Sequence, residues 1–388
     1  MSGLFLLSLL AFVSALVFAQ VVGGWRDLFA RSWPAASRTE HGEDHGEGVT
    51  LIVPARNAAG TIAPLLQDLY AQQWPKERME VLVVDDGSSD ATADIVRGMV
   101  RNWPGLQLLP ATGAGKKAAI TQGVAAARWP FVLLTDADAR CGPLRVPRVM
   151  HGMHAQQAHL LLLPVATCAE RGVLQRMQAD EQAALLGVAA ATGLQGAAVL
   201  AYGANLAFSK AAFLAVGGYA GDAWAGGDDI FLLRRMRRAG RRVEFLADPE
   251  AVVTVQAEPA VAGFWQQRLR WAGKMRGVGG GGRWLAMGGL LLPWFLAIVT
   301  CLITPQRLMQ QRPFTVLLLL AAAWVLWAWP VLGLVAEVRR FVRQAPHPCA
   351  GRGRAATTFL SLLAFSVYAP VVAVASQVVR PTWKGRRL

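Results

Sequence analysis

Four long uncharged stretches flank a central region of short apolar segments. The uncharged stretches cover residues 2–25, 284–303, 314–336 and 355–379. Each is long enough to cross a hydrocarbon core of about 30 Å as a helix, which takes roughly 20 residues. Since no charged residue interrupts them, an ion or proton pathway through the membrane is not indicated. The pattern predicts an N-terminal membrane anchor and a C-terminal membrane region with about three spans.

Between residues 49 and 134, apolar runs rich in β-branched residues alternate with segments of helical spacing. Strands are predicted at 49–53, 79–84, 106–109 and 131–134, and helices at 61–73, 91–100 and 117–127. Near-continuous apolar strands that alternate with helices indicate an α/β fold, a mainly parallel sheet with helices on both faces. Because ligands bind such sheets at the carboxyl ends of the strands, functional side chains are expected there.

The charge is distributed unevenly along the chain. The 388 residues include 39 Lys and Arg against 25 Asp and Glu, a formal net charge of +14. Residues 259–388 hold 16 of the basic residues and one acid, Glu337, whereas residues 1–258 have a net charge of −1. The excess accompanies the apolar stretches, which predicts contact with membrane lipids and makes a nucleic acid partner unexpected. Four cysteines without metal-ligand spacing favour reduced thiols and a cytoplasmic catalytic side.

Basic residues beside the apolar stretches indicate the orientation. Arg26 and Arg31 follow the first stretch and no Lys or Arg precedes it, so an uncleaved anchor is favoured over a cleaved signal peptide. We therefore expect a multi-pass protein of the inner (cytoplasmic) membrane with its catalytic domain in the cytoplasm. With four full spans the basic tail 384–387 falls outside. If the stretch that contains Pro293 is re-entrant, the tail returns inside, and charge alone does not decide between the two.

Paired carboxylates follow two of the predicted strands. Asp85 and Asp86 end the second strand and precede a Gly-Ser-Ser turn, where they form either a ligand site or a helix-capping turn. Asp136 and Asp138 follow the buried fourth strand. Two such carboxylates can share a hard divalent cation with phosphate oxygens, and their place at a strand end favours that interpretation.

Two polar segments precede predicted helices. Lys116 follows a Gly-Ala-Gly turn, where backbone amides and lysine could meet phosphate or form a solvated basic turn. Asp228 and Asp229 begin a helix that continues to residue 238. Carboxylates at a helix start are stabilised by the helix dipole, so capping is one interpretation. The other is a general base that takes the proton of an acceptor hydroxyl.

A basic, aromatic segment lies just before the second uncharged stretch. It contains Gln267, Arg270 and Trp271, and its spacing is that of an amphipathic helix on a membrane surface, with Phe264 among its anchors. Such a position does not exclude a role in the active site.

The order of these motifs resembles the membrane-bound family 2 glycosyltransferases. That group includes cellulose, hyaluronan and poly-N-acetylglucosamine synthases and ceramide glucosyltransferase. The resemblance covers about residues 49–275, and the N- and C-terminal spans also match. The motifs are Val53-Pro54-Ala-Arg-Asn57, Asp85-Asp86-Gly-Ser, Gly115-Lys116, Asp136-x-Asp138, Gly203-Ala-Asn205, Gly217-Gly218-Tyr219, Asp228-Asp229 and Gln267-x-x-Arg270-Trp271.

The resemblance implies a GT-A fold and an inverting, metal-dependent transfer from a nucleotide sugar, with a UDP-sugar as the first expectation. It implies Mg2+ or Mn2+ bound by Asp136 and Asp138, and Asp229 as the catalytic base beside Asp228, where many relatives have Glu. The donor-binding residues that it implies are Pro54, Asn57, Asp85, Asp86, Lys116, Asp136, Gln267, Arg270 and Trp271. One departure is Ala58, which stands where the family usually has an acid.

The acceptor is expected to be lipid-linked or a saccharide. Three C-terminal spans are fewer than in the processive synthases, which favours a single transfer onto a lipid-linked acceptor. A processive polysaccharide synthase and a non-catalytic membrane scaffold that kept the fold are the alternatives.

The predicted organisation has five parts. They are an anchor (2–25), a linker (26–48), the GT-A catalytic domain (49–258), an amphipathic interface segment (259–283) and the C-terminal membrane region (284–388). The linker contains His41 and His45 among acidic and glycine residues, a composition that favours a flexible connection over a metal site.

Overall fold

The computed structural model describes most of the chain. The described residues are 2–36, 46–170, 172–221, 227–275, 281–309, 315–347, 355–379, 382–383 and 386–387. The His41 and His45 cluster and the tail residue Lys384 lie outside them.

The first part of the chain alternates strands and helices after one long helix. Its elements are α1 (Ser2–Ala36), β1 (Val49–Ala55), α2 (Ile62–Tyr70), β2 (Met79–Asp85), α3 (Thr92–Val100), β3 (Leu106–Pro110), α4 (Lys116–Ala126), β4 (Phe131–Thr135), β5 (Arg140–Cys141), α5 (Arg145–Ala155), β6 (Leu160–Leu162) and β7 (Val165–Cys168). The strands and helices predicted between residues 49 and 134 are all present, with ends shifted by one to three residues.

The second part contains longer helices. Its elements are α6 (Val173–Leu194), β8 (Asn205–Ser209), α7 (Lys210–Ala215), α8 (Asp228–Arg238), β9 (Val243–Phe245), β10 (Val253–Gln256), α9 (Val261–Met275), α10 (Gly281–Met309), α11 (Thr315–Val342), α12 (Ala355–Val378), β11 (Thr382–Trp383) and β12 (Arg386–Arg387). Two short 3-10 helices cover Lys76–Arg78 and Pro249–Ala251.

The strands form a twisted central sheet and a smaller one beside it. Within the described residues the central sheet has seven strands in the order β3-β2-β1-β4-β8-β6-β9. Of these, β8 is antiparallel to both β4 and β6, while the other pairs are parallel. The smaller sheet has the order β5-β10-β7. The prediction of a mainly parallel α/β sheet is confirmed.

Alternate residues of the central strands fill the cores on the two faces of the sheet. Ile52 and Leu134 point into the core shared with α1, α4, α6 and α11. Leu51 and Leu133 point into the core formed with α2 and α5. Because side chains alternate along a strand, strands buried on both faces read as uninterrupted apolar runs. Helices cover both faces, as predicted.

Among the described residues, four helices are long and apolar enough to cross a membrane, namely α1, α10, α11 and α12. This confirms the prediction of one N-terminal and three C-terminal membrane helices. Helix α1 continues to Ala36, beyond the apolar stretch that ends at residue 25, so the first part of the predicted linker is helical. Helix α10 runs without a break through Pro293, and no re-entrant turn interrupts its described length.

Specific side-chain contacts join α1 to α11 and α11 to α6. The ring of Phe29 on α1 lies 5.1 Å from that of Phe341 on α11, edge to face. The indole N–H of Trp33 donates to Glu337 at 3.1 Å, with both side chains buried. Helix α6 contacts α11 through an ion pair between Asp180 and Arg339.

Among the described residues, the expectation that the cysteines are reduced is wrong for Cys168. Cys168, at the end of β7, is disulfide-bonded. Cys141 and Cys301 carry free thiols.

Candidate functional site

One cavity joins the ends of the strands to the membrane helices. It has a volume of about 1970 Å³. One end, here called the carboxylate end, is lined by Asp86, Lys116, Asp136, Asp138, Asp229 and Arg270. The other, here called the membrane end, is lined by Phe18, Trp25, Leu292, Phe295, Trp327 and Leu362. A single space therefore connects polar groups at the sheet with apolar side chains of α1, α10, α11 and α12.

The two adjacent carboxylates after β2 have different surroundings. Asp86 is buried and lines the cavity, and its carboxylate accepts a hydrogen bond from the backbone N–H of Gly115 at 3.1 Å. Asp85 turns to the following loop, where its carboxylate accepts bonds from the hydroxyl and backbone N–H of Ser88. The backbone N–H of Asn57 donates to the Ser88 hydroxyl at 3.0 Å, and its side chain accepts from Ser89.

Asp85 and Asn57 therefore shape the loop beside the cavity. Neither residue lines the cavity as the described residues define it, whereas Pro54 does. Both were predicted to bind the donor, and that role stays a prediction.

Lys116 connects two of the predicted motifs. Its ammonium lies 2.7 Å from Asp136 and 3.1 Å from Asp228, at the start of α4. Burial alone would lower the pKa of Lys116, but the carboxylates of Asp136, Asp228 and Asp229 outweigh it, and the pKa is raised. The lysine is therefore firmly protonated. It balances three carboxylates that would otherwise repel one another.

Gly203 lies against this charged cluster. A Cβ atom added at Gly203 would lie 2.3 Å from the carboxylate of Asp228 and 2.9 Å from the ammonium of Lys116. Its backbone N–H donates to Asp229 at 3.2 Å. A residue without a side chain is needed at this position, which explains the glycine of the Gly203-Ala-Asn205 motif.

Asp229 lies in the first turn of α8 and is buried. One carboxylate oxygen accepts from its neighbour, the backbone N–H of Ile230, at 2.8 Å, and the other accepts from Gly203. These donors and the helix N-terminus fix the carboxylate in orientation. Asp229 also lines the cavity, where a carboxylate can accept a proton from a ligand.

The residues predicted to hold a metal suit a site that phosphate completes. No group of three or more His, Cys, Asp or Glu side chains suited to a metal occurs among the described residues. Asp136 and Asp138 both line the cavity, and Asp138 is exposed to it. Mg2+ is commonly bound by one or two carboxylates together with substrate phosphates and water, so these residues fit such an ion.

Helix α9 brings the three predicted residues Gln267, Arg270 and Trp271 to the cavity wall. The buried Nε of Arg270 has no hydrogen-bond partner among the described residues. Burial lowers the pKa of Arg270, while the negative charges of Glu258, Asp136 and Asp138 raise it. An anion that is itself bound to a divalent cation could lie between Arg270 and the aspartates, with the anion at the guanidinium and the cation at the carboxylates. Phe264, considered as a membrane anchor, is instead buried.

Tyr202 is a cavity residue that the sequence analysis did not single out. It precedes Gly203, and its hydroxyl is buried near Asp229. Burial, together with the charge of Asp229, raises the pKa of Tyr202, so the phenol remains neutral. Arg56 and Lys117 also line the cavity. In the sequence, each of these three residues lies beside a residue of a recognised motif, and that position could have identified it.

The sheet is mainly parallel and carries paired carboxylates at its strand ends, with a basic helix over them and a cavity that reaches membrane helices. These features are typical of membrane-bound nucleotide-sugar transferases. The model of the family Glycosyl transferase family 21 matches residues 4–386. The chain therefore belongs to glycosyl transferase family 21, a family of glycosyltransferases. The predicted resemblance to this group of membrane-bound glycosyltransferases, with the poly-N-acetylglucosamine synthases among them, is confirmed.

Two curated relatives are bacterial. A poly-beta-1,6-N-acetyl-D-glucosamine synthase of Staphylococcus aureus (strain MSSA476) is 27% identical over 235 residues, which cover 59% of this chain and 55% of that protein. The probable glycosyltransferase YdaM of Bacillus subtilis (strain 168) is 26% identical over 231 residues, which cover 58% and 54%. The chain spans about half the length of these curated relatives.

A solved structure shares the fold over nearly the whole chain. It is the mannosyltransferase PcManGT from Pyrobaculum calidifontis in complex with GDP-Man and Mn2+. The TM-score is 0.56 at 21% identity, with 97% of this chain and 98% of that chain covered. This similarity supports the GT-A fold.

Proposed function

We propose that the protein transfers a sugar, with inversion, from a nucleotide-sugar donor to a lipid-linked or saccharide acceptor in a reaction that uses Mg2+ or Mn2+. The observation that carries this proposal is the carboxylate end of the cavity. There Asp136 and Asp138 face Arg270, whose buried Nε lacks a partner among the described residues. A diphosphate is the kind of group that fits between them, because it binds both a divalent cation and a guanidinium.

In this proposal the charges of the cavity act on the leaving group. The bond between the anomeric carbon and the diphosphate breaks, and negative charge grows on the diphosphate oxygen. Arg270 stabilises that charge from α9, and Lys116, which is firmly protonated, stabilises it from the start of α4. Asp136 and Asp138 would hold a divalent cation, which would supply further charge stabilisation when bound.

Asp229 is the proposed general base. As the acceptor hydroxyl oxygen forms its bond to the anomeric carbon, its proton passes to a carboxylate oxygen of Asp229. Attack on the face opposite to the leaving group inverts the configuration at that carbon. Tyr202, buried beside Asp229 with a neutral hydroxyl, is placed to donate a hydrogen bond to the acceptor. Trp271 offers an apolar face to a sugar ring.

The cavity favours a lipid-linked acceptor. Its membrane end is lined by apolar side chains of α1, α10, α11 and α12, and it is continuous with the carboxylate end. A lipid could enter from the membrane with its hydrocarbon chain among those helices and its hydroxyl near Asp229. Burial of apolar surface contributes about 25 cal/mol per Å², which would retain such a chain. Repeated transfer to make a polymer stays an alternative, which product length would reveal.

The test is release of a nucleoside diphosphate by the purified full-length protein in detergent or lipid nanodiscs. A panel of UDP- and GDP-sugars is offered with Mn2+ and with either a lipid extract or soluble saccharides. Asp229→Asn is expected to lower kcat at least about 1000-fold and to leave nucleotide binding intact. Asp94→Asn is the matched control, since Asp94 is exposed and pairs only with the nearby Arg97 among the contacts described. No release with any donor would remove the proposed activity. Full activity of Asp229→Asn would remove that residue from the base role.

The proposed location is the inner membrane, with the catalytic domain in the cytoplasm. Arg26 lies toward the end of α1, and Arg339 and Arg340 toward the end of α11, on the side where these helices meet the sheet region. Lys and Arg are concentrated on the cytoplasmic side of membrane proteins. The disulfide at Cys168 favours the opposite orientation of the domain across the membrane, because cytoplasmic thiols are kept reduced.

Labelling in whole cells decides between the two orientations. A cysteine introduced at the exposed surface position Asp94 is treated with a membrane-impermeant maleimide. If the domain is cytoplasmic, Asp94→Cys is labelled only after the inner membrane is permeabilised. Labelling of intact spheroplasts would show the reverse orientation.

A further inference from the structure

A buried ion pair in the cavity wall connects α9 to α6. The guanidinium of Arg268 donates to Glu181 from two nitrogens: Nε lies 3.1 Å from Oε1 and 2.8 Å from Oε2, and Nη2 lies 2.5 Å from Oε2. The Arg268 and Glu181 side chains are 4% and 7% exposed. Arg268 also donates to the side chain of Gln267. A two-pronged, buried contact of this kind fixes orientation as well as distance.

Arg268 is also held between two aromatic rings of its own helix. Its guanidinium carbon lies 4.6 Å from the ring centroid of Phe264 and 4.3 Å from that of Trp271. Guanidinium groups stack favourably on aromatic faces, more so when water is excluded. Phe264 in turn contacts Tyr368 of α12, with ring centroids 5.3 Å apart. The membrane helix α12 therefore packs against the outer side of the same stack.

Helical geometry turns Arg268 away from Arg270. Successive helical residues are turned by about 100°, so Arg268 and Arg270 point in directions about 160° apart. Arg268 is directed to Glu181 on α6, and both residues lie in the cavity wall with Gln267, Arg270 and Trp271. Because the helix is rigid over a single turn, fixing the direction of Arg268 also fixes the direction of Arg270. Arg268 also touches Gln267 and Trp271 directly.

We propose that Arg268, anchored by Glu181, is a positioning residue that sets the orientation of α9 so that Arg270 and Trp271 reach the carboxylate end. This inference rests on the proposed function, in which Arg270 binds the diphosphate. Lysine cannot reproduce the role, because it lacks the planar fork that meets both oxygens of Glu181 and stacks on Trp271. Glu181 has no contact with the donor in this proposal and acts through Arg268.

The first test compares two Arg→Lys variants of the full-length protein. Arg268→Lys is expected to lower kcat about 10- to 100-fold, since a misplacement of about 1 Å costs that much, with nucleotide affinity changed less than about threefold. Arg339→Lys is the matched control, because Arg339 pairs with Asp180, the neighbour of Glu181 on α6, and its hydrogen bonds within the described residues go to Asp180 and Thr358, not to α9. It should lose thermal stability with kcat within about twofold of the parent. Equal kcat values for the two variants would overturn the proposal.

A second test separates positioning from simple stabilisation. Glu181→Gln and Arg268→Gln each leave one buried charge without its partner, so both should be less stable than the parent. The double variant leaves no unpaired charge, and its thermal stability should recover. Its kcat should stay about 10-fold or more below the parent, because the fork and the aromatic stack are gone. Recovery of kcat together with stability would show a purely structural pair.

A third measurement needs no substrate. Hydrogen exchange of residues 261–275 should be faster in Arg268→Lys than in the parent, and unchanged in Arg339→Lys. If the parent protein releases no diphosphate from any nucleotide sugar, the proposed function fails and this measurement still tests the positioning of α9. Unchanged exchange of α9 in Arg268→Lys would overturn the positioning role whatever the activity.

Discussion

The carboxylate end and the membrane end of the cavity are built in different ways. At the carboxylate end, the acidic side chains and Lys116 follow strands β2 and β4 or begin helices α4 and α8, and Arg270 lies in α9, each within a short motif. At the membrane end, the walls come from helices distributed over the whole chain. The contacts that hold those helices join residues far apart in sequence, such as Trp33 with Glu337 and Asp180 with Arg339.

This difference separates local from long-range specification. A carboxylate at a strand end is brought to the ligand edge of the sheet by the topology alone, so a short motif suffices. A helix in the membrane has no hydrophobic drive to join its neighbours, and its place depends on close packing and polar contacts. Substitutions at the carboxylate end should therefore change the rate of the reaction. Substitutions at the junction, where α1, α6 and α11 contact one another, should instead change stability.

The largest effect is expected from the proposed metal ligands. Asp138→Asn removes one of the two carboxylates that face the proposed diphosphate site, so kcat should fall about 1000-fold, as should the activity of the parent protein in EDTA. The measurement is diphosphate release against Mn2+ concentration. Asp94→Asn, on the exposed surface, should keep the activity and metal dependence of the parent. Activity that persists in EDTA and in Asp138→Asn would show that the carboxylate end does not act through a bound metal.

A smaller but clear loss is expected at Gly203. In Gly203→Ala the added methyl group would lie 2.3 Å from the Asp228 carboxylate, so the cluster of Lys116, Asp228 and Asp229 must shift. We expect activity to fall about 100-fold, because catalytic groups displaced by about 1 Å lose that much. Gly98→Ala in α3 is the matched control, since nothing lies within 4 Å of its Cβ position. Similar activities in the two variants would show that the cluster adapts without cost.

The sequence predicted much of the carboxylate end and little of the junction. Asp136, Asp138 and Lys116 were recognisable because each lies in a short motif beside a strand or helix end. Asp85 and Asn57 lie in the same motifs but shape the neighbouring loop, a distinction that depends on which way a side chain turns. Glu181 carries no such signal, because its partner Arg268 is 87 residues away and only folding brings them together.

A third, milder effect is expected from Tyr202. Tyr202→Phe removes a hydroxyl beside Asp229 and keeps the ring, so kcat should fall about 10-fold, in line with the loss of one hydrogen bond. Since burial and the charge of Asp229 raise its pKa above the ordinary value near 10, the phenol stays neutral through the assay range. The pH profile of kcat should therefore keep its shape between about pH 6 and 9. Tyr70→Phe, on the exposed side of α2, is the control. A changed pH profile would show that Tyr202 exchanges a proton during the reaction.

The smallest effect on activity is expected at the junction, where stability should respond instead. Trp33→Phe removes the indole N–H that donates to the buried Glu337, while the ring contact with Phe341 can remain. Leaving a buried acceptor short of a donor costs about 1–3 kcal/mol of unfolding free energy, and Arg340 still pairs with Glu337, which favours the lower part of that range. Thermal inactivation in detergent should occur at a lower temperature, with kcat within about twofold of the parent. Trp329→Phe, 70% exposed on α11, should change neither quantity. If Trp33→Phe lowered kcat as strongly as Tyr202→Phe without loss of stability, the contact between α1 and α11 would reach the chemistry directly, and the two ends of the cavity would have to be treated as one coupled site.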